Sequence, residues 1–199
     1  GYGFPDATEV RYGFDPRDPA QGARLAQRDA DGDGLADALE VAFGSDPLQN
    51  DSDQDGYADG IEITHGYNPN ASTTKPLAKR LRVDLSEQTL AQELDGVVIA
   101  TYPVSSGKAA TPTPLGTFKI ETKSPRAWSN RAKLWMPYWM GFRGWLYGVH
   151  ELPEWPNGKK EGKGHLGIPV SHGCVRVAEG VSKQLYDWAP IGTEVIIQR

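Results

Sequence analysis

From residue 79 onward the chain is written in short runs in which apolar and polar residues tend to alternate, the period of a half-buried strand. Arg80–Leu85 alternates in this way, and Thr89–Leu94 and Val97–Val104 flank an Asp95-Gly96 pair, a strong two-residue hairpin signal. Leu115–Glu121, Trp145–His150 and Glu194–Gln198 read as further strands. One segment has a helical period: in Ala178–Trp188 the apolar Val181, Leu185 and Trp188 share a face ahead of Pro190. Short strands with one late helix predict a β-sandwich or barrel-like domain of about 120 residues. Residues 1–70 follow another pattern, with few apolar positions and acids recurring at every second residue, and residues 71–78 read as a linker between the two regions.

The acidic pattern repeats with a period of 22. Asp29-Ala-Asp31-Gly-Asp33-Gly34-Leu35-Ala-Asp37-Ala-Leu-Glu40 aligns with Asp51-Ser-Asp53-Gln-Asp55-Gly56-Tyr57-Ala-Asp59-Gly-Ile-Glu62. Each places carboxylates at positions 1, 3, 5, 9 and 12 of a twelve-residue loop, with glycine at position 6 for the sharp turn. Calcium takes six to eight hard oxygens, and here Asp29, Asp31, Asp33, Asp37, Glu40 and the Leu35 carbonyl form one candidate ligand set. Asp51, Asp53, Asp55, Asp59, Glu62 and the Tyr57 carbonyl form the other, so two structural Ca²⁺ are expected. Without a cation, five carboxylates on so short a loop would repel one another. The ten residues 41–50 are too few for the two helices of a paired EF-hand. Val41-Ala-Phe43-Gly44 and Ile63-Thr-His65-Gly66 instead predict about one helical turn each, stopped by glycine and then by Pro47 or Pro69. A partial copy over residues 1–16 lacks the aspartate-rich front half and is assigned no calcium.

Composition divides at the same place. Residues 1–70 hold 15 acids and 4 bases, a net of −11, whereas residues 71–199 hold 11 acids and 17 bases, a net of +6. The overall −5 therefore describes neither part. Six tryptophans and eight tyrosines argue against global disorder, and 23 glycines with 15 prolines favour loops and strands over a helix bundle. No run of 18 apolar residues occurs, so no membrane-spanning helix is expected. The basic charge is accompanied by no recognised nucleic-acid-binding fold, so nucleic acid is not expected as a partner.

The single cysteine, Cys174, excludes an intrachain disulfide and would by itself suggest only a small buried apolar residue. Its setting, Ser171-His172-Gly173-Cys174-Val175-Arg176, changes that reading. On an extended chain His172, Cys174 and Arg176 project to one face. Positive neighbours favour the nucleophilic thiolate, Gly173 allows close backbone approach, and nearby N–H groups could form an oxyanion hole. His150 and His165 are the other histidines of this part. The residue chemistry points to Cys–His acyl transfer.

Ser171–Arg176, with Tyr147-Gly-Val-His150 ahead of it, closely resembles the signature of the L,D-transpeptidase (YkuD-type) catalytic domain. Val83–Ser86, Thr101–Lys108, Thr113–Phe118 and Met136–Trp139 resemble other stretches of that family, so the resemblance spans residues 79–199. It implies a mostly β, sandwich-like domain with one late helix and a catalytic cycle without cofactor. It further implies a periplasmic or cell-envelope location reached through a removed signal peptide, and a peptidoglycan tetrapeptide stem as substrate. Cys174 would be the nucleophile, forming a thioester with release of D-Ala and passing it to an amine of another stem or of an envelope protein. His150 would be the base, His172 a supporting donor, Arg176 a holder of site geometry or of a substrate carboxylate, and Ser171 a turn hydrogen-bonder; His165 has no matching role. The alternatives are an L,D-carboxypeptidase or amidase-like hydrolase of the same fold, and a non-catalytic, calcium-dependent wall-binding module. Twenty residues separate His150 from Ser171, more than is common in the family, and the excess is placed in a flexible basic loop, Glu154–Gly164. Trp128, Trp135, Trp139, Trp145 and Trp155 are read either as core and rim or as a groove for the substrate. The acidic repeats resemble the thrombospondin type 3-like calcium repeats of bacterial surface and secreted proteins, with a dockerin as the less fitting rival. The expected whole is that catalytic domain behind a small N-terminal module of EF-hand-like calcium loops at residues 1–70.

Overall fold

The computed structural model describes residues 6–11, 15, 17, 27–72 and 76–199. The chain divides into two compact units, Gly1–Leu77 and Ala78–Arg199.

The first unit is built from loop and short-helix repeats. Helices α1 (Asp6–Arg11), α2 (Asp37–Phe43) and α3 (Asp59–His65) begin at equivalent aspartates of the repeat, so the partial copy also forms its helix. The remainder of that copy, including Gly3–Pro5 and Tyr12–Phe14, lies outside the described residues. Gly44 and Gly66 end α2 and α3 in the left-handed region, at φ 83° and 89°, and their N–H groups return to Glu40 and Val41, and to Glu62 and Ile63. This is the glycine stop expected from the sequence. Among the described residues of this unit, Leu35 and Ile63 are the buried hydrophobic side chains, alongside the buried acids Asp37, Glu40, Asp59 and Glu62. So small an apolar core supplies little burial energy.

The second unit is one nine-stranded sheet: β1 (Lys79–Asp84), β2 (Thr89–Leu94), β3 (Val97–Ser105), β4 (Gly116–Lys119), β5 (Thr122–Ser129), β6 (Leu134–Arg143), β7 (Tyr147–Glu151), β8 (Val175–Val177) and β9 (Glu194–Gln198). Their order across the sheet is β4-β9-β1-β2-β3-β8-β7-β6-β5. The β1–β9 and β7–β8 pairs are parallel and the others antiparallel. The sheet curls so that its ends face each other. Phe118 of β4 meets Phe142 of β6 at 5.3 Å between ring centroids, although six strands separate them along the sheet. Leu81, Val83, Val195 and Ile197 from one half thus share a core with Met140, Phe142, Val149 and Val175 from the other.

The β2–β3 turn has Asp95 at φ 50° and Gly96 at φ 89°, the paired positive values of the expected hairpin. Helix α4 (Val181–Trp188) starts three residues later than its pattern suggests, because Gly180 stands at φ 84° just ahead of it. Its Leu185 is fully buried, with Val181 and Trp188 packed against the same core. Strands β5 and β6 lack a legible alternating pattern, and β8 is only three residues long. β6 is apolar on nearly every residue and contains Pro137, beside which Tyr138 turns to φ 52°, and Pro125 interrupts β5. Strand β6 is buried on both faces from Trp139 to Phe142, which removes the period-two signal there.

Candidate active site and metal loops

The Ser171–Cys174 turn is built by its own residues. Ser171 Oγ accepts from the Gly173 N–H at 2.9 Å and donates to the Cys174 carbonyl at 2.6 Å. The Ser171 N–H donates to the Ser106 carbonyl at 2.9 Å, and its carbonyl accepts from Lys108 N and Thr111 Oγ1, both at 3.1 Å. Fully buried Ser171 is therefore a fastener of the turn. Gly173 stands at φ 115°, and a Cβ there would lie 2.5 Å from Cε1 of Tyr147, so no other residue fits. The bend turns His172 outward to the surface, while Cys174 meets the start of β8 and Arg176 points inside. These three residues converge with His150 on one cavity of about 40 Å³.

β7 and β8 run parallel with His150 opposite Arg176, which sets the reactive groups side by side. His150 is 2% exposed, and its Nδ1 lies 2.6 Å from the Glu151 carbonyl. A carbonyl only accepts, so Nδ1 carries the proton and Nε2 is left as the basic nitrogen. Burial pulls the His150 pKa down to about 3; the Glu151 carbonyl opposes this and Arg176 adds to it. The ring stacks on that of fully buried Trp139, with centroids 5.9 Å apart and planes at 26°. Burial likewise pushes the Cys174 thiol up, against the Gly148 N–H and Arg176, which favour the thiolate. His172 is shifted down by burial and by the cations Lys108, Arg176 and Arg131.

Arg176 already has a partner. Its Nη1 donates to both oxygens of Glu161, at 3.1 and 2.9 Å, in a pair whose side chains are 9% and 10% exposed. The extra stretch before Ser171, expected to be a flexible basic loop, is a tied hairpin. Glu154 exchanges backbone bonds with Trp135 at 2.8 and 2.9 Å, and Trp155 N donates to the Lys159 carbonyl at 2.8 Å. Glu154 also pairs with Arg126, and Lys160 with Glu151 and Glu179. His165, without a role in the sequence reading, has Nδ1 3.2 Å from Glu161 Oε1. Glu161 was missed because its partner lies across the fold; the available signal was an acid set among Lys159, Lys160 and Lys163 within the excess length.

The tryptophans separate by role. Trp139 is core, donates Nε1 to Thr122 Oγ1 at 3.2 Å and carries the His150 ring on one side. Trp145, 63% exposed, stacks against it at 6.1 Å with planes at 7°. Together with Trp128, Tyr147 and Arg131 they line a groove of about 330 Å³ that ends on His172 and Cys174. Trp135 packs edge-on to Trp128 at 4.9 Å beneath Arg126, and Trp155 lies outside the groove lining.

In the first unit the structure gathers Asp29, Asp31 and Asp33 into one cluster and Asp51, Asp53 and Asp55 into another. Glu40 is fully buried with both carboxylate oxygens unpartnered, and Asp31 Oδ2 and Glu62 Oε2 are buried and unpartnered as well. Burial and the nearby aspartates push Glu40 up to about 8 and Glu62 up to about 7. Buried, unpaired carboxylate oxygens beside further carboxylates fit a hard divalent cation. The position-9 acids, expected among the ligands, also fasten their loops. Asp37 accepts from Ala30 N at 2.9 Å and pairs with Arg28; Asp59 accepts from Ser52 N at 2.9 Å and Ser52 Oγ at 2.6 Å. Asp33 also accepts from Gly60 N of the other repeat at 2.6 Å, tying the two loops together. His65, on α3, has Nδ1 2.7 Å from the Ile61 carbonyl of its own helix.

Comparison with known proteins agrees with both units. Residues 78–197 match the family model of the L,D-transpeptidase catalytic domain, and residues 29–50 and 51–72 each match the bacterial TSP3 repeat. The YkuD protein of Bacillus subtilis, which carries an L,D-transpeptidase assignment, is 29% identical over 119 residues, 60% of this chain and 65% of its own length. Its Bacillus licheniformis counterpart is 30% identical over 118 residues, 59% and 64% of the two chains. The chain thus spans slightly less than two thirds of the length of these relatives. Among solved structures, an L,D-transpeptidase from Stackebrandtia nassauensis superposes with a TM-score of 0.52 at 32% identity, covering 63% of this chain and 56% of that one. One from Mycobacterium smegmatis has a TM-score of 0.55 over 62% and 60% of the chains; at 24% identity it bears on the fold. The curled sheet and the match over residues 78–197, which is more than half of the chain, make this protein a member of the L,D-transpeptidase catalytic-domain family, with bacterial TSP3 repeats preceding that domain.

Proposed function

We propose that residues 79–199 form a peptidoglycan L,D-transpeptidase domain acting in the cell envelope, with Cys174 as nucleophile and His150 as base. The observation that carries this reading is the fixed tautomer of His150. With Nδ1 donating to Glu151, the neutral ring offers Nε2 on the cavity it shares with Cys174. Nε2 takes the thiol proton as Sγ attacks the carbonyl of the third stem residue. The C–N bond to the terminal D-Ala then breaks, and the imidazolium returns the proton to the leaving amine. The resulting thioester is attacked by an amine of a second stem or of an envelope protein; His150 accepts that amine's proton and hands it to the departing thiolate. Ser171 and Gly173 shape the turn that presents Cys174, His172 stands as a donor at the cavity rim, and Arg176 supplies positive charge next to the thiol. The tryptophan-lined groove ending at Cys174 is the place for the donor stem.

Wild type and Cys174→Ala are to be incubated with muropeptide tetrapeptides and the products analysed by mass spectrometry. Cross-linked dimers from wild type alone are expected. Tripeptides without dimers would assign the L,D-carboxypeptidase reading, and no product from either protein would remove both.

The repeats at residues 1–70 are read as two Ca²⁺ sites of structural use. Asp29, Asp31, Asp33, Glu40 and the Leu35 carbonyl would hold one ion, and Asp51, Asp53, Asp55, Glu62 and the Tyr57 carbonyl the other. Asp37 and Asp59 support the loops through their hydrogen bonds. Bound calcium would supply charge neutralisation and loop closure in a unit with a small apolar core.

A further inference from the structure

The tied loop between β7 and Ser171 sends two neighbouring charges in different directions. Lys160 reaches Glu151 and Glu179 at the end of β7 and the start of α4, whereas Glu161 reaches Arg176 beside the active-site cavity. The Glu161 backbone N–H is itself fixed, donating to the Pro153 carbonyl at 2.9 Å. Both side chains of the Glu161–Arg176 pair are withdrawn from water, and removing one partner of such a pair strands the other charge. The guanidinium in question is the cation that acts on both His150 and Cys174.

We propose that Glu161 is a positioning residue of the active site: by gripping Arg176 it holds in place, and partly neutralises, the cation flanking Cys174 and His150. The excess length of the β7–Ser171 connection then has a purpose, because it carries this carboxylate to the buried guanidinium. The inference rests on reading Cys174 as the reacting thiol. The charged and titratable groups acting at the thiol side are His150 on β7, Arg176 on β8 and His172 in the turn, with Lys108 and Arg131 facing His172. At the far end Glu161 meets His165 as well as Arg176.

The test uses the full chain and its one cysteine, titrated by the pH dependence of iodoacetamide alkylation, which needs no peptidoglycan and is therefore independent of transpeptidation. In Glu161→Gln the uncompensated guanidinium favours the thiolate, so alkylation at pH 7 is expected to quicken about threefold or more, with the profile displaced to lower pH. Arg176→Met is expected to displace the profile the other way, and adding Glu161→Gln to it to change nothing further. Lys160→Met cuts the neighbouring tie but leaves the Arg176 charge as it is, so it separates loosening of the loop from the electrostatic effect. An unmoved profile in Glu161→Gln overturns the proposal, as does the same displacement in Lys160→Met or its persistence in the Arg176→Met background. Should Glu161→Gln alone not fold, the double variant, which strands no charge, is expected to fold with the profile of Arg176→Met. A double variant that also fails to fold would show that Glu161 supports the structure through other contacts and would overturn the proposal.

Discussion

A histidine that is buried and neutral leaves a signature in acid. The His150 pKa is drawn down from 6.5 to about 3 in the folded protein, so its contribution to stability is present above pH 6.5 and is lost as the pH falls toward 3. All six tryptophans lie between residues 128 and 188, so tryptophan fluorescence follows the second unit alone. Melting followed this way is expected to weaken over that pH interval in wild type and to weaken less in His150→Gln; equal slopes would count against the neutral, buried ring. Gly173 is a second single-residue test. Its φ of 115° and the 2.5 Å approach of Tyr147 leave a methyl group nowhere to go. Gly173→Ala is expected to cost about 2 kcal/mol or more and to reduce turnover at least tenfold. Retained activity would mean that the turn adapts. The motif around Cys174 was legible from residue chemistry because its neighbours in sequence are its neighbours in space. The role of Arg176 within it was less so, since it answers to an acid fifteen positions away in sequence.

At the scale of elements, the tryptophan-rich hairpin of β5 and β6 is both wall and support. Trp139 is 1% exposed, stacked on His150 and bonded to Thr122, whereas Trp145 is 63% exposed and stacked on the outer face of Trp139. Trp139→Leu is expected to lower stability by about 3 kcal/mol and to impair kcat through the unsupported imidazole. Trp145→Ala is expected to leave stability within about 0.5 kcal/mol and to raise KM for the stem peptide. Thermal denaturation paired with kinetics separates the two; a Trp145 variant with unchanged KM would remove this part of the groove from substrate binding. Alternation made β1 and β9 readable, since each shows one face to the core, and the Asp95-Gly96 turn pair made β2 and β3 readable. They could not reveal β5, which Pro125 interrupts, or β6, where Pro137 and burial on both faces erase the period.

For the molecule as a whole, the −11 of residues 1–70 marks a unit that folds around acids. Two bound Ca²⁺ would bring that charge to −7 while satisfying the unpartnered oxygens of Asp31, Glu40 and Glu62. Calorimetry on the full chain is expected to show two ions bound, and Glu40→Gln to lose one of them. Chelation should lower the melting of this unit by several degrees or more as read by far-UV circular dichroism. A melt indifferent to chelator would refute calcium as its organiser. The sequence by itself determined what depends on near neighbours: the aspartates two apart with glycine after the third, the glycines that end α2 and α3, the hairpin pair and the Ser171–Arg176 motif. Only the tertiary structure decided the protonated nitrogen of His150, the tie between Glu161 and Arg176, which tryptophans line the groove, and the engagement of Asp37 and Asp59 as loop fasteners. The physical reason is that burial and hydrogen-bond partnership are set by how the folded chain packs around a group, whether its partner is near or far in sequence. A residue's type and spacing state what it is able to do, and desolvation and the partner it meets select which of those things it does.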